Sequence, residues 1–152
     1  MRIVLQRVTQ ASVTVDNAVV GEIENGLLAF VGVAPDDTAE TAEKYAEKAA
    51  KMRIFADENG KTNLSAIDLG YSILIISQFT LYADTRKGNR PSFMKAGAPE
   101  HANAICNAFI DSCKKRFRKT ETGVFGAHMD VSLCNDGPFT IILDEDLGMS
   151  LR

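Results

Sequence analysis

Two stretches of the chain are apolar almost without interruption: Leu27 to Val33, and the Ile73-Leu74-Ile75-Ile76 centre of the segment Ser72 to Leu81. A strand of that composition must be buried on both faces. Helical patterning, the usual cover for such strands, appears only twice. Thr38, with Asp36 and Asp37 as rivals, can cap a helix over Ala39 to Arg53 with Tyr45, Ala49 and Met52 on its inner stripe. Its outer face carries Glu40, Glu43, Lys44, Glu47, Lys48 and Lys51, a solvated surface with i,i+4 pairs. Pro99 suits the first turn of a second helix reaching roughly Arg118, with Ala102, Ile105, Cys106, Phe109, Ile110, Cys113 and Phe117 turned inward. The remaining segments alternate like strands: Arg2–Val8, Ser12–Val15, Val19–Glu24, Met129–Cys134 and Phe139–Leu143, with Asp16-Asn17 as a tight turn and Asp57–Gly60 as a hairpin tip. Two helices and about seven strands make a layered α/β or α+β fold. Two helices cover one face of the sheet, so the other must be closed by a second sheet layer or by another subunit.

A length of 152 residues supports one such core, and no repeat, low-complexity segment or linker divides it. No apolar stretch approaches the ~20 residues of a membrane span. The opening Met1-Arg2-Ile3-Val4 has no signal-peptide character, so the expected location is cytoplasmic with no membrane partner. Cys106, Cys113 and Cys134 form no metal-ligand or redox spacing; Cys106 and Cys113 are expected to share a buried helical face. With only His101 and His128, a zinc site is not expected, and each histidine reads as a surface or packing residue. A net charge of −3 offers no global attraction to nucleic acid, so an RNA partner would need a local basic patch.

Three segments stand out as possible chemistry. Ser77-Gln78-Phe79-Thr80 places polar residues abruptly at the end of a buried strand; continued alternation would turn Ser77 and Phe79 one way, Gln78 and Thr80 the other. Asn135-Asp136-Gly137-Pro138 reads as a hairpin turn between two strands, or, with a cis Gly-Pro bond, as a rigid presentation of two carbonyl oxygens able to hold an ammonium group. Gly123-Val124-Phe125-Gly126-Ala127 lets backbone approach a ligand, with a ring for a base. No nucleophile–histidine–acid set and no glycine-rich phosphate loop appears.

Together these segments resemble the D-aminoacyl-tRNA deacylase family over nearly the whole chain. The resemblance is carried by residues 1–8, Arg53-Ile54-Phe55 with Asp57-Glu58 and Gly60-Lys61, Ser77–Leu81, Lys87–Phe93, Gly123–Ala127 and Asn135–Pro138. Tyr71 and Phe139 depart from it, standing where the family pattern has glycine and valine. The resemblance implies a layered β/β/α sandwich-like single domain spanning 1–152, two helices on one face of its sheet, assembled as a homodimer. It implies a site in which Ser77, Gln78, Phe79, Thr80 and Phe125 surround the aminoacylated 3′ end of tRNA. It implies that Gly137 and Pro138, in the cis form and oriented by Arg7, enter the partner's site and select the chirality of the substrate. It implies no metal and no cofactor. Arg86, Lys87 and Arg90, with Lys114 and Lys115, are the expected tRNA contacts, and DNA is not an expected partner. A related family with a trans Gly-Pro bond prefers L-alanyl substrates; the quoted motifs fit the D-specific branch.

The chemistry this suggests is hydrolysis of an activated ester without a protein base. Backbone N–H groups near Phe79 and Thr80 would stabilise the oxyanion, and the ribose 2′-hydroxyl would orient the water. Chirality would be read by exclusion: a ~10⁴-fold preference requires about 5.5 kcal/mol, within reach of a steric clash. Such a filter admits glycine, and the resemblance implies glycyl-tRNA mischarged on tRNA-Ala as a second substrate. Two rival readings remain: an esterase for small esters centred on Thr80, and a non-catalytic RNA-binding module of the editing type attached to synthetases.

Overall fold

The structure is a computed structural model and describes residues 1–147. The last five positions of the expected 1–152 domain lie outside the described residues. The chain order is β1 (Arg2–Val15), β2 (Ala18–Ile23), β3 (Gly26–Gly32), α1 (Ala39–Lys51), β4 (Arg53–Ala56), β5 (Thr62–Ser65), β6 (Ser72–Ser77), a 3-10 turn (Phe79–Tyr82), α2 (Pro99–Lys114), β7 (Thr120–Thr122), β8 (Asp130–Asp144) and a second 3-10 turn (Glu145–Leu147). Strands run β2-β1-β3-β6-β7 in one sheet with β8 also paired to β1; β4 and β5 form a separate hairpin.

The two apolar runs are the central strands β3 and β6, paired in parallel from Gly26↔Ser72 to Val31↔Ser77. Both faces are buried, by different means. Leu27, Ala29, Val31, Ile73 and Ile75 pack with Tyr45, Ala46 and Ala49 of α1 and with Ile105, Phe109 and Cys113 of α2. Leu28, Leu74 and Ile76 pack instead with Val8, Ala11, Val13 and Ile23. The second layer is thus the sheet itself, folded over: β1 pairs with β3 through Arg2–Val8 and with β2 through Ala11–Val15. Gly21 of β2 passes so close to β7 that a Cβ there would lie 2.8 Å from the Thr122 carbonyl oxygen. The layered β/β/α arrangement with both helices on one face is the expected one. Among the described residues no helix is long and apolar enough to cross a membrane.

The second layer covers only part of that face. Successive cross-strand rows read Ile142–Val4–Phe30–Ile76 and Thr140–Gln6–Leu28–Leu74. Ile76, Leu28 and Leu74 are buried, whereas Val4, Gln6 and Phe30 are only half-buried and Ile142 is 51% exposed. A partly apolar strip of β8, β1 and β3 therefore stays open.

Several boundaries differ from the sequence reading. Arg2–Val8 and Ser12–Val15 are halves of one strand, as are Met129–Cys134 and Phe139–Leu143. The β1–β8 ladder shifts register between Gln6 and Val8 and again between Val8 and Gln10, where the chain crosses from one layer to the other. Asn135–Pro138 is accordingly an irregularity within β8, not a hairpin turn. The strand expected to reach Leu81 ends at Ser77, α2 ends at Lys114 short of Arg118, and β7 was not foreseen. Met52 caps the C-terminus of α1 and is only half-buried, whereas Thr38 caps its N-terminus, accepting from the Thr41 N–H at 3.2 Å. Cys106 and Cys113 are buried together, and burial pushes their thiols up to about 11 and about 12, so they stay neutral and inert; Cys134 is exposed.

Candidate active site

A cavity of about 640 Å³ opens where β6 ends. Ile76, Ser77, Gln78 and Phe79 form one wall, the 3-10 turn and β6 having brought them there; Phe93 and the small residues Ala96, Gly97, Ala98, Pro99 and Ala102 form the second; Phe125 through Met129 and Val131 complete it. The expected alternation fails after Ser77 because the chain leaves strand geometry at Gln78 (φ −146°, ψ 82°) and tightens into the turn. Ser77, Gln78 and Phe79 consequently share one cavity. Thr80 does not line it: its hydroxyl accepts from the Gln78 amide Nε2 at 2.6 Å and fixes that side chain. At the leading edge of the turn the Phe79 and Thr80 N–H groups have no intrahelical acceptor, whereas the Leu81 N–H reaches the Gln78 carbonyl at 3.3 Å.

The cavity is aromatic and almost without charge. Phe79 and Phe93 meet edge to face, centroids 5.0 Å apart at 71°, and Phe125 faces the same space. All three rings are over one-third exposed, a large apolar surface for residues at a cavity mouth. Phe93 was not singled out for the site, although a lone large aromatic in a loop otherwise made of charges and turn formers is a usable signal. Among the described residues lining the cavity, only His128 has a titratable side chain. No carboxylate, lysine or cysteine is available there as a base. Among the described residues no cluster of three His, Cys, Asp or Glu side chains is arranged to hold a metal ion.

Gly137 and Pro138 are exposed and their peptide bond is cis. They are held from beneath by Arg7. Its Nε donates to the Asp136 carbonyl at 2.9 Å and lies 3.1 Å from the Asp136 carboxylate; Nη1 donates to the Ile54 carbonyl at 2.7 Å. Phe139 covers the guanidinium at 4.7 Å from its ring centroid, so this departure from the family pattern gains a cation–π contact. Tyr71, the other departure, packs edge to face on Phe55 at 5.2 Å. The Phe139 N–H donates to Asn135 Oδ1 at 2.7 Å, closing the loop on itself. Gly137 has φ 144°, and a Cβ there would meet the Phe139 nitrogen at 2.9 Å and Arg7 Nη2 at 3.3 Å.

These two constellations do not meet within one chain. Asn135 pairs with Val8, which pairs with Gly26, at the start of β3, whereas Ser77 pairs with Val31 near its end. Five residues of strand separate the levels, ~17 Å at ~3.3 Å per residue, with three strand spacings of ~4.8 Å across the sheet besides.

The basic residues are similarly divided. Arg86, Lys87 and Arg90 lie on the exposed loop that also carries Phe93. Asp84 already holds Arg86 in a salt bridge and has Lys95 at 3.6 Å; hydrogen bonding from Arg86 keeps the Asp84 carboxyl well below the usual carboxylate range. Lys114 and Lys115 end α2, ~22 Å from its first residue at ~1.5 Å per residue, and hence far from the cavity of their own chain. Lys114 is also paired with Asp111 at 3.2 Å.

Residues 4–144 match the family model described as D-Tyr-tRNA(Tyr) deacylase. The chain belongs to that family. A D-aminoacyl-tRNA deacylase of Thermosipho africanus is 53% identical over 144 residues, 95% of this chain and 97% of the relative. Another, of Chloroflexus aurantiacus, is 56% identical over 95% of this chain and 90% of its own. Among solved structures, one titled c-Myc DNA Unwinding Element Binding Protein aligns with TM-score 0.89 at 40% identity, covering 95% of this chain and 98% of that one. A probable eukaryotic D-amino acid tRNA deacylase aligns with TM-score 0.83 at 17% identity over 93% and 97%, a likeness of fold. The cavity wall at Ser77–Phe79 and the Gly137-Pro138 projection both fall within the matched span of this deacylase family.

Proposed function

We propose that this chain hydrolyses the ester of D-aminoacyl-tRNA to free D-amino acid and tRNA, in a site formed by the cavity of one copy and Gly137-Pro138 of a second. The observation that carries the reading is that the two half-sites stand at opposite corners of the β8-β1-β3-β6 sheet, apart within one chain, with a partly apolar open face between them. A two-fold axis through that face, near Gln6 and Phe30, exchanges the corners. It brings one copy's Gly137-Pro138 toward the other's Ser77–Phe79, and covers Val4, Phe30 and Ile142 in an isologous contact. The family membership supports the substrate class.

In this site the terminal adenosine enters among Phe79, Phe93 and Phe125, where stacking is worth about 1–3 kcal/mol per base. The Phe79 and Thr80 N–H groups lie at the ester carbonyl; a donor of this kind contributes about 3–4 kcal/mol to the transition state. With no carboxylate, lysine or cysteine among the lining residues, and with His128 standing 93% exposed at the rim, the ribose 2′-hydroxyl orients the attacking water, and Thr80 acts by holding Gln78. The Gly137 and Pro138 carbonyls receive the α-ammonium, leaving space for one hand of side chain and for glycine. The protein acts where tRNA does, in the cytoplasm.

The test is deacylation of D-tyrosyl- against L-tyrosyl-tRNA by the purified protein, with release of D-tyrosine and retention of the L-ester expected. Hydrolysis of neither would favour the non-catalytic module. Thr80→Ala is expected to retain activity and a substrate ending in 2′-deoxyadenosine to lose it; the reverse pattern would overturn the RNA-assisted step.

A further inference from the structure

We infer that His128 is a positioning residue for the RNA backbone, taking the phosphate on the 5′ side of the terminal adenosine at the rim of the cavity. The inference rests on the reading of that cavity as the adenosine site. Its interior is lined by apolar side chains, three aromatic rings and two neutral polar residues, Ser77 and Gln78. A nucleotide entering ring-first leaves its phosphate outside, since burying an unpaired anion is costly. The rim must then supply a donor, and among the described residues His128 is the one lining side chain able to carry positive charge.

Its position suits that task. His128 follows the turn bearing Phe125, so ring stacking and phosphate contact come from one short segment. Its side chain is 93% exposed, and its Nε2 stands 3.5 Å from Asp130 Oδ1, itself 80% exposed. Asp130 is the charged group facing it among the described residues, and without the imidazole that carboxylate would stand bare beside an approaching polyanion. His128 thus acts twice, donating to the phosphate and masking Asp130. On the loop opposite, Arg86 and Lys95 both lie against Asp84, and Lys87 and Arg90 are exposed but do not line the cavity.

The experiment compares 3′-O-D-tyrosyl-adenosine with its 5′-phosphorylated counterpart on the full-length protein, reading kcat and KM separately. The unsubstituted protein is expected to prefer the phosphorylated ester through KM. That preference is expected to fall about fivefold in His128→Ala, the range of one exposed charge contact, and further in His128→Asp. It should survive in His128→Lys and recover in part in His128→Ala with Asp130→Asn. No preference in the unsubstituted protein, an unaltered preference in His128→Ala, or equal loss in His128→Lys would each overturn the inference while leaving the cavity reading intact. Failure of the unsubstituted protein on both esters and on D-tyrosyl-tRNA would overturn the cavity reading, and this inference with it.

Discussion

The two corners of the open sheet face are built in opposite ways. The Ser77–Phe79 corner is shaped by packing: rings, alanines and a proline around an almost uncharged space, with its useful polar groups supplied by backbone. The Gly137-Pro138 corner is shaped by hydrogen bonds, one guanidinium tying Asp136, Ile54 and Phe139 together beneath an exposed loop. A cavity tolerates small adjustment by its walls. A projection that must enter another molecule has no such walls and needs its orientation set from its own side. The contrast predicts unequal sensitivity to substitution.

The largest effect is expected at Gly137→Ala. The added Cβ meets backbone at 2.9 Å in a region of φ that L residues avoid, and displacement of the loop by ~1 Å can cost about 100-fold in kcat/KM. Circular dichroism should remain that of the parent, because the loop is exposed and no core residue moves. Arg7→Lys comes next. It keeps the charge but replaces the planar fork, whose Nε and Nη1 reach two separate carbonyls, by a single nitrogen, so a roughly tenfold loss in kcat/KM is expected. An unchanged rate would show that the charge alone orients the loop. The smallest effect is expected on the cavity side, at Asp84→Asn. Releasing Arg86 and Lys95 should tighten tRNA binding about two- to fivefold at low salt and steepen its salt dependence. A filter-binding series over ionic strength reads both; weaker binding would mean that Asp84 matters by holding the loop in shape.

The same contrast explains what could be read from the chain beforehand. Packing leaves a compositional trace. The runs at Leu27–Val33 and Ile73–Ile76 announced central strands, and the stripes through Tyr45 and Phe109 announced the helices that cover them. Long-range hydrogen bonding and sheet folding leave almost none. Thr9 and Gln10 interrupt the apolar alternation of β1 because the strand is passing between layers there, and the interruption looks like a loop. Asn135–Pro138 has the composition of a turn, yet Cys134 and Thr140 on either side both pair with β1. Strand alternation separates Ser77 and Phe79 from Gln78 and Thr80, whereas the break in strand geometry at Gln78 gathers Ser77, Gln78 and Phe79 at one cavity. Lys114 and Lys115 show in the sequence only as charge, which carries no record of which end of a helix faces the cavity.

The account turns on a site shared between two copies, and mixed dimers test this most directly. Gly137→Ala spoils the projection, and Ala98→Trp fills the cavity from an exposed wall position; each homodimer is expected to be inactive. After unfolding the two together in equal amounts and refolding, half of the dimers are mixed, and each mixed dimer holds one site with both halves intact. Recovery of about a quarter of the parent deacylase activity is expected from random isologous pairing. No recovery, with mixed dimers demonstrably formed, would show that no site combines the cavity of one copy with the projection of the other and would contradict the account.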